Sequence, residues 1–242
     1  MGAIIFNGVP TSRYNINIWT APNYEIPEKD LEVYHVPGRS GDLIVDYGSW
    51  KNVNRTYTVS SGSDNASFPA LARDISAWLS SASGYAVLQD SYEPDVYRMA
   101  QFKDAIEITN VLDHAALATI TFDCKPQRFL LSGASEITVT SGSTIPNVTN
   151  YWANPKIIVS GSGAKTVTFK SVEDNSTLYV VDISEVTNNF VIDCEMQECY
   201  TGTTSKNSKV TLSNGFPKIP PGGIKIEFSG LTVKVVPNTW VL

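Results

Sequence analysis

The chain has 242 residues, of which 42% are hydrophobic and 17% are charged, and its formal net charge at neutral pH is −6. This hydrophobic content is enough for a packed core, whereas the acidic balance argues against a nucleic-acid partner, which would need a stripe of Lys and Arg. No apolar run reaches 18 residues, so we expect no membrane span, and the first residues lack the pattern of a signal peptide. We therefore expect a protein that folds in a cytoplasm or leaves it as part of an assembly.

The first charged segment, YEIPEKDLE (24–32), is predicted to be a solvated loop. Its carboxylates would suit acid–base catalysis, but unpaired carboxylates beside proline are far more often simply hydrated. His35 follows in LEVYHVP (31–37), where we expect a strand. The carboxylates of this segment belong to Glu25, Glu28, Asp30 and Glu32.

Two glycine-containing segments, PGRSGD (37–42) and GSGAKT (161–166), have the composition of phosphate-binding loops but lack their context. A phosphate loop places a lysine and a helix N-terminus at the anion, and neither segment leads into a predicted helix. We interpret both as turns in which glycine adopts a positive φ, and expect Arg39 and Asp42 to pair at the first turn or at a subunit boundary. The residues assigned to this structural turn and candidate subunit interface are Pro37, Gly38, Arg39, Gly41 and Asp42.

One amphipathic helix is predicted, in SFPALARDISAWLSSASG (67–84), because apolar residues recur there at the spacing of one helix face. Ser67 is the expected N-cap, Pro69 suits the first turn, and Gly84 is the expected stop. The predicted buried face comprises Phe68, Leu71, Ala72, Ile75, Trp78, Leu79 and Ala82.

Strands are predicted on both sides of this helix. YAVLQD (85–90) and DVYRMAQF (95–102) read as two strands joined by a turn at SYEPD (91–95). Pro126 is expected to close a later strand. The alternating, core-facing positions of two further strands are Val53, Arg55, Tyr57 and Val59, and Ala118, Ile120, Phe122 and Cys124.

The character of the sequence changes after about residue 130, and QRFLLSGAS (127–135) is the expected domain joint. Short β-rich runs follow at the spacing of a β-sandwich, namely KIIV, KTVTFK, LYVVDI, NFVIDC, KVTLS, IKIEF and LTVKVV. The predicted fold is therefore mainly β. An α+β N-terminal domain with one helix covers 1–130, and a C-terminal β-sandwich covers 131–242.

The sequence offers little for catalysis or metal binding. A catalytic triad would have to recruit His35 or His114, which is expected at a turn, and neither has a recognisable partner. Cys124, Cys194 and Cys199 lack zinc-ligand spacing. The last two could face each other across a hairpin, but we expect them to be reduced. We expect no catalytic residue, no metal and no cofactor.

Several segments occur in an informative order: PGRSGDLIVDYGSWKNVNRTYTV, the helix ending in AWLSS, YAVLQDSYEPDVYRMAQF and ATITFDCKPQRF. NPKIIVSGSGAKTVTF, NFVIDCEMQECY and FPKIPPGGIKIEFSG follow in the second half. Taken in this order, they resemble the distal tail protein (Dit) family of long-tailed bacteriophages, over essentially the whole chain. The chain departs from the family pattern at Ser40 and Gly41-Asp42, and its C-terminal half has no long insertion.

The resemblance implies a structural hub of the phage tail tip, not an enzyme. Such proteins form a ring, typically a hexamer, through the N-terminal domain, which contacts the tail tube above and a tail-associated lysin or fibre protein below. The C-terminal sandwich, galectin-like or carbohydrate-module-like, points outward and can carry receptor-binding proteins. The implied location is the virion, after synthesis in the cytoplasm of the bacterial host.

A carbohydrate-binding adhesin module that contacts the host surface is the alternative function. Aromatic side chains in the second half could stack on sugars, or could instead pack in the core or at an interface. The sequence alone does not distinguish exposed from buried rings. The residues concerned are Tyr151, Trp152, Tyr200 and Trp240.

Overall fold

The computed structural model describes residues 2–62, 68–104, 108–111 and 115–242. The chain divides into two compact units, Met1–Arg128 with Leu242 (unit 1) and Phe129–Val241 (unit 2). In the described ranges the chain is mainly β with a single α-helix, which confirms the predicted fold class. Short 3-10 turns lie at Thr11–Tyr14, Leu131–Gly133 and Asn207–Lys209.

A curled antiparallel sheet forms the body of unit 1. The strands of this part of the chain are β1 (Ile4–Phe6), β2 (Val9–Pro10), β3 (Ile16–Thr20), β4 (Lys29–Tyr34), β5 (Leu43–Trp50), β6 (Val53–Gly62), β7 (Ala86–Asp90), β8 (Val96–Gln101), β9 (Ile108–Val111) and β10 (Ala115–Leu130). The sheet order is β2-β1-β7-β8-β10-β6-β3, with β9 on β10. A bridge between Gly2 and Ile18 brings the segment that leads into β1 against β3, so the sheet curls back on itself.

The helix α1 (Phe68–Leu79) covers the core face of this sheet. Leu71, Ile75, Trp78 and Leu79 are buried as predicted, and the Trp78 indole N–H donates to the Phe6 carbonyl at 3.2 Å. The predicted N-cap, Ser67, and the side chain of Phe68 lie outside the described residues.

The predicted helix stop at Gly84 is wrong, because α1 ends at Leu79. The amide of Ser81 bonds to the Trp78 carbonyl, an i−3 contact that tightens the last turn and turns the chain away. Gly84 has no positive φ and therefore does not act as a left-handed cap.

The predicted strands of unit 1 are present, with one correction. The alternation in β6 is confirmed, since Val53, Arg55, Tyr57 and Val59 are all buried, and β7 and β8 form the predicted hairpin. However, Pro126 does not close β10, which continues to Leu130. The pairing of β10 with β6 ends at Cys124 opposite Val53, so the missing N–H of Pro126 removes no bond to that strand.

Unit 2 is the predicted β-sandwich. Its strands are β11 (Ile137–Val139), β12 (Thr144–Ile145), β13 (Lys156–Ser160), β14 (Gly163–Ser171), β15 (Thr177–Val186), β16 (Phe190–Asp193), β17 (Glu198–Thr201), β18 (Thr204–Ser205), β19 (Val210–Ser213), β20 (Ile224–Phe228) and β21 (Thr232–Val236). A last strand, β22 (Trp240–Val241), belongs to neither sandwich sheet. Two sheets, ordered β11-β21-β13-β16-β17-β18 and β12-β20-β14-β15-β19, enclose one apolar core. Side chains from both sheets alternate into it, such as Ile157 and Val159 from β13 and Val167 and Phe169 from β14. The GSGAKT segment is a turn between β13 and β14, with Gly163 at a φ of +75°.

Candidate functional site

The hairpin formed by β4 and β5 is the most unusual surface of unit 1. Within the residues that the structure describes, these two strands pair only with each other, with Val33 opposite Ile44 and Tyr34 opposite Leu43. No residue from 28 to 50 is buried, although core residues lie on both sides of this stretch, at Ile18 before it and at Val53 after it. We call residues 29–50 the exposed hairpin.

Both faces of the exposed hairpin carry apolar side chains. Directly opposed residues in an antiparallel pair share a face, which places Leu31, Val33 and Ile44 together, and these are 39%, 56% and 61% exposed. The other face presents Tyr34, Leu43, Val45 and Tyr47. A two-stranded hairpin is marginally stable in water on its own, and contiguous exposed apolar surface is typical of interaction sites. The arrangement is therefore suited to burial between two surfaces.

Polar contacts across the hairpin fix its register. Glu32 accepts hydrogen bonds from the Tyr34 and Tyr47 hydroxyls, which lower the pKa of its carboxyl group. Asp30 accepts from Ser49 at 3.1 Å. The predicted loop is therefore wrong for Asp30 and Glu32, which lie in β4, because Ser49 donates to the first carboxylate and the two tyrosine hydroxyls donate to the second. Glu25 and Glu28 precede β4.

The turn PGRSGD joins β4 to β5. Gly38 and Gly41 have φ angles of +82° and +83°, a region that favours glycine. Asp42 contacts His35 at 3.1 Å rather than Arg39, whose side chain makes no ion pair in the described part of the chain. His35 itself lies just beyond β4 instead of within it, and Pro37 begins the turn. His114 lies outside the described residues.

The base of the exposed hairpin is held by Arg55 of β6. Its guanidinium donates to the Asn23 carbonyl at 2.9 Å and lies 4.8 Å from the centre of the Tyr24 ring. Nearby, the amide of Asn54 donates to the Glu25 carboxylate at 3.1 Å. The segment that leads into β4 is thus attached to the body of unit 1 through Arg55 and its neighbour.

Arg55 also belongs to a buried charge network, which the sequence did not reveal. Arg55 Nη2 lies 2.9 Å from Asp90 Oδ2, and the Tyr57 hydroxyl donates to the same oxygen at 2.6 Å. The backbone N–H groups of Tyr92 and Glu93 donate to the other oxygen, Oδ1. Burial alone would raise the pKa of Asp90, but these donors and the Arg55 charge outweigh it and hold the pKa below its ordinary value.

Glu93 extends the network to two further cations. Its carboxylate lies 2.5 Å from Arg98 Nη2 and 2.7 Å from Arg128 Nη1. These contacts outweigh the effect of burial, so the pKa of Glu93 is lowered as well. One indication of this network was present in the sequence, where Arg55 occupies a predicted core-facing position. A buried guanidinium requires carboxylate partners. With its charges paired with one another, the network is suited to structural support.

The three cysteines and His35, all within the described part of the chain, form no evident chemical centre. Cys124, Cys194 and Cys199 are free and buried, and burial raises the pKa of the Cys199 thiol to about 11. Within the described ranges, no three His, Cys, Asp or Glu side chains are grouped in a way that would hold a metal ion. None of the helices in these ranges has the length and apolar character needed to cross a bilayer.

The aromatic residues that suggested sugar stacking do not form one open platform. Tyr151 and Trp240 stack on each other, with ring centres 4.4 Å apart, so each ring covers one face of the other. The Trp240 indole N–H donates to the backbone carbonyl of Trp152, whose own ring is half exposed. Tyr200 is partly buried in β17.

The fold is similar to those of solved proteins from phage adsorption and baseplate structures. The Dit protein of phage SPP1, described as a paradigm of the hub adsorption apparatus in phages that infect Gram-positive bacteria, has a similar structure. It aligns with a TM-score of 0.71 and 12% identity, covering 97% of both chains.

Chains of the phage P2 baseplate in its activated conformation, solved with Ca and with Sr, give TM-scores of 0.56 and 0.55 at 10% identity. Each alignment covers 97% of this chain, and 97% and 96% of the respective baseplate chains. No protein-family model and no curated protein sequence matches the chain. The resemblance to Dit proteins is thus confirmed at the level of the fold.

Proposed function

We propose that the chain is a structural distal tail protein, the baseplate hub of a bacteriophage. In this proposal unit 1 forms a homo-oligomeric ring at the end of the tail tube, and the family resemblance implies that the ring is a hexamer. The ring joins the tube to a tail-associated lysin or fibre protein and to receptor-binding proteins. The protein resides at the tail tip of the virion and has no catalytic role. The shared fold of the SPP1 hub protein and the P2 baseplate chains supports this assignment.

The observation that carries the ring proposal is the exposed hairpin. Its apolar faces and the free outer edges of β4 and β5 lack cover from the residues of unit 1 that the structure describes. A second copy of the chain supplies that cover in a head-to-tail arrangement, in which the hairpin of one copy lies on the body of the next. Such heterologous contacts close into a ring when the rotation between copies permits it. Strand edges and apolar side chains would both contribute to the contact.

Val33→Asp tests the ring proposal directly. A carboxylate at the centre of one apolar face should oppose burial of the hairpin and shift the protein towards monomers. Val172→Asp is the matched control, because Val172 is similarly exposed but lies in unit 2. Sedimentation velocity over a concentration series, with negative-stain microscopy of the largest species, measures the effect.

Rings in the parent protein and the control, with monomers in Val33→Asp, would support the proposal. Two results would count against it: a parent protein that stays monomeric at high concentration and with the tail-tube protein added, or unchanged assembly in Val33→Asp. Thermal unfolding of each variant separates loss of assembly from loss of folding.

A further inference from the structure

The segment that contains β22 is attached to unit 2 outside the apolar core of the sandwich. We call residues 238–241 the strap. None of them belongs to the cluster of core side chains, and β22 lies in neither sandwich sheet. Local stability follows the apolar contacts that a segment buries, so a segment outside the core opens at a lower free energy than the core itself.

Two backbone hydrogen bonds join the strap to the segment with which unit 2 begins. The Leu130 amide donates to the Thr239 carbonyl at 2.9 Å, and the Asn238 amide donates to the Gly133 carbonyl, also at 2.9 Å. The two bonds run in opposite directions, with one donor and one acceptor on each segment. Moving the strap away from the segment therefore breaks both bonds together.

The fit between the strap and this segment is close at Gly133. This glycine is buried, and a Cβ atom added to it would clash with Thr239 Oγ1 and would lie 2.9 Å from the Thr239 backbone nitrogen. Thr239 is only 5% exposed. Glycine thus allows a close approach of two backbone segments, and a larger residue would displace the strap.

The strap is also bonded to the segment that precedes β13. The Trp240 indole N–H donates to the Trp152 carbonyl at 3.0 Å, and the Trp240 ring stacks on Tyr151. The side-chain amide of Asn238 donates to the Asn154 carbonyl at 3.0 Å. The strap therefore connects the start of unit 2 to residues 151–154.

We propose that the strap opens as one unit, separately from the sandwich core, and that its closure keeps residues 130–133 ordered. The 3-10 turn within this segment has a local bond from the Ala134 amide to the Leu131 carbonyl, and the geometry of such bonds is weak. In the open state the bonds of the strap are lost, and residues 130–133 become a flexible linker. This conformational device lies within unit 2 and does not depend on the ring proposal.

Native-state hydrogen exchange of the full chain, measured by NMR in increasing urea, tests the device. The Leu130 and Asn238 amides should exchange with one common opening free energy, below that of Val159 in β13, which is paired on both sides. Gly133→Ala should make both amides exchange about tenfold faster or more and leave Val159 unchanged, because overpacking displaces the strap but not the core. Trp240→Phe keeps an aromatic ring but loses the indole donor, so it should accelerate both amides to a smaller extent.

Ser132→Ala is the matched control, because it changes an exposed side chain in the same 3-10 turn. Its exchange should equal that of the parent. Chymotrypsin gives an independent readout, since an open linker can be cut after Leu130 or Leu131. Mass spectrometry should show this cleavage to be faster in Gly133→Ala than in the control.

Three results would overturn the proposal. In the parent protein, the Leu130 and Asn238 amides could open with different free energies, or could exchange only together with Val159. In Gly133→Ala, both amides could exchange as in the parent. If Gly133→Ala does not fold, the parent measurement and Trp240→Phe still decide the outcome. Ring formation is scored separately by sedimentation, so failure of one proposal is distinguishable from failure of the other.

Discussion

Arg55→Met isolates the contribution of the buried charge network in unit 1. Methionine retains a long unbranched side chain, so the principal loss is the guanidinium. The substitution removes the bonds of Nε and Nη2 to Asp90 Oδ2, at 3.3 and 2.9 Å, and the bond to the Asn23 carbonyl. Asp90, whose side chain is 4% exposed, retains its Tyr57 and backbone donors but loses its nearest cation.

The expected loss follows from this geometry. Removing one partner of a buried ion pair costs about 3–5 kcal/mol, because the remaining charge stays buried without compensation. Asp90 keeps its other hydrogen-bond donors, so the loss should lie at the lower end of this range. We expect Arg55→Met to lower the unfolding free energy of unit 1 by about 3 kcal/mol. Lys51→Met is the control, because it breaks an exposed pair with Glu28 and should cost at most about 1 kcal/mol.

Hydrogen exchange in increasing urea, read on amides of β6 and β10, reports the stability of unit 1 separately from unit 2. The double variant Arg55→Met/Asp90→Asn should be more stable than Arg55→Met alone, because it removes the unpaired charge. A loss from Arg55→Met no larger than that from Lys51→Met would refute the reasoning. Equal stability of the single and double variants would show that an uncompensated carboxylate is not the cause.

Two further outcomes are expected. Valine at Gly38 or Gly41 should lower the unfolding free energy by about 1–2 kcal/mol, because both glycines have a positive φ. Size-exclusion chromatography should then show a lower yield of folded or assembled protein. Valine at Gly84, which has no positive φ, should leave this yield unchanged. Because the pKa values of Asp90 and Glu93 are lowered on folding, their stabilisation is complete above the unfolded-state values and is lost as the pH falls through the folded-state values. The midpoint of urea unfolding of unit 1 should therefore decrease as the pH is lowered from about 5 to about 2, and should decrease less in Asp90→Asn. An unchanged midpoint would contradict the charge assignment.

The sequence predicted the seven longer strands of the sandwich in unit 2, because each forms a β-rich run bounded by turn residues, but it did not predict the short strands β11, β12, β17 and β18. It could not predict the contacts of the strap. Gly133 and Thr239 are far apart in the chain and become neighbours only in the folded unit. Pattern reasoning assigns a side chain to a face of a sheet but does not assign its neighbour on the next strand.

The charge network was hidden for the same reason. The alternation in β6 correctly placed Arg55 on the core side, but its partners Asp90 and Glu93 lie 35 and 38 residues further along the chain. Both acids fall at or near a predicted turn, where carboxylates are usually hydrated. Only the adjacency of β7, β8, β10 and β6 in the sheet brings these charges together.

The exposure of the hairpin is a further feature that the sequence alone does not determine. The run LIVDY in β5 has the composition of a buried strand, yet its residues are exposed. A sequence encodes apolar surface, but it does not state whether the cover comes from the same chain or from another. The apolar character of β5 is therefore consistent with a strand whose cover belongs to the assembled state.

The charge network and the exposed hairpin meet at Arg55, which leads to a prediction that links them. Arg55 holds the hairpin base through the Asn23 carbonyl and the Tyr24 ring while its other nitrogen atoms bind Asp90. Arg55→Met should therefore weaken both unit 1 stability and ring assembly, whereas Val33→Asp should weaken assembly alone. Sedimentation at a temperature where both variants remain folded measures the difference. If folded Arg55→Met assembles as the parent does, the hairpin does not depend on its anchor, and the network serves the core of unit 1 only.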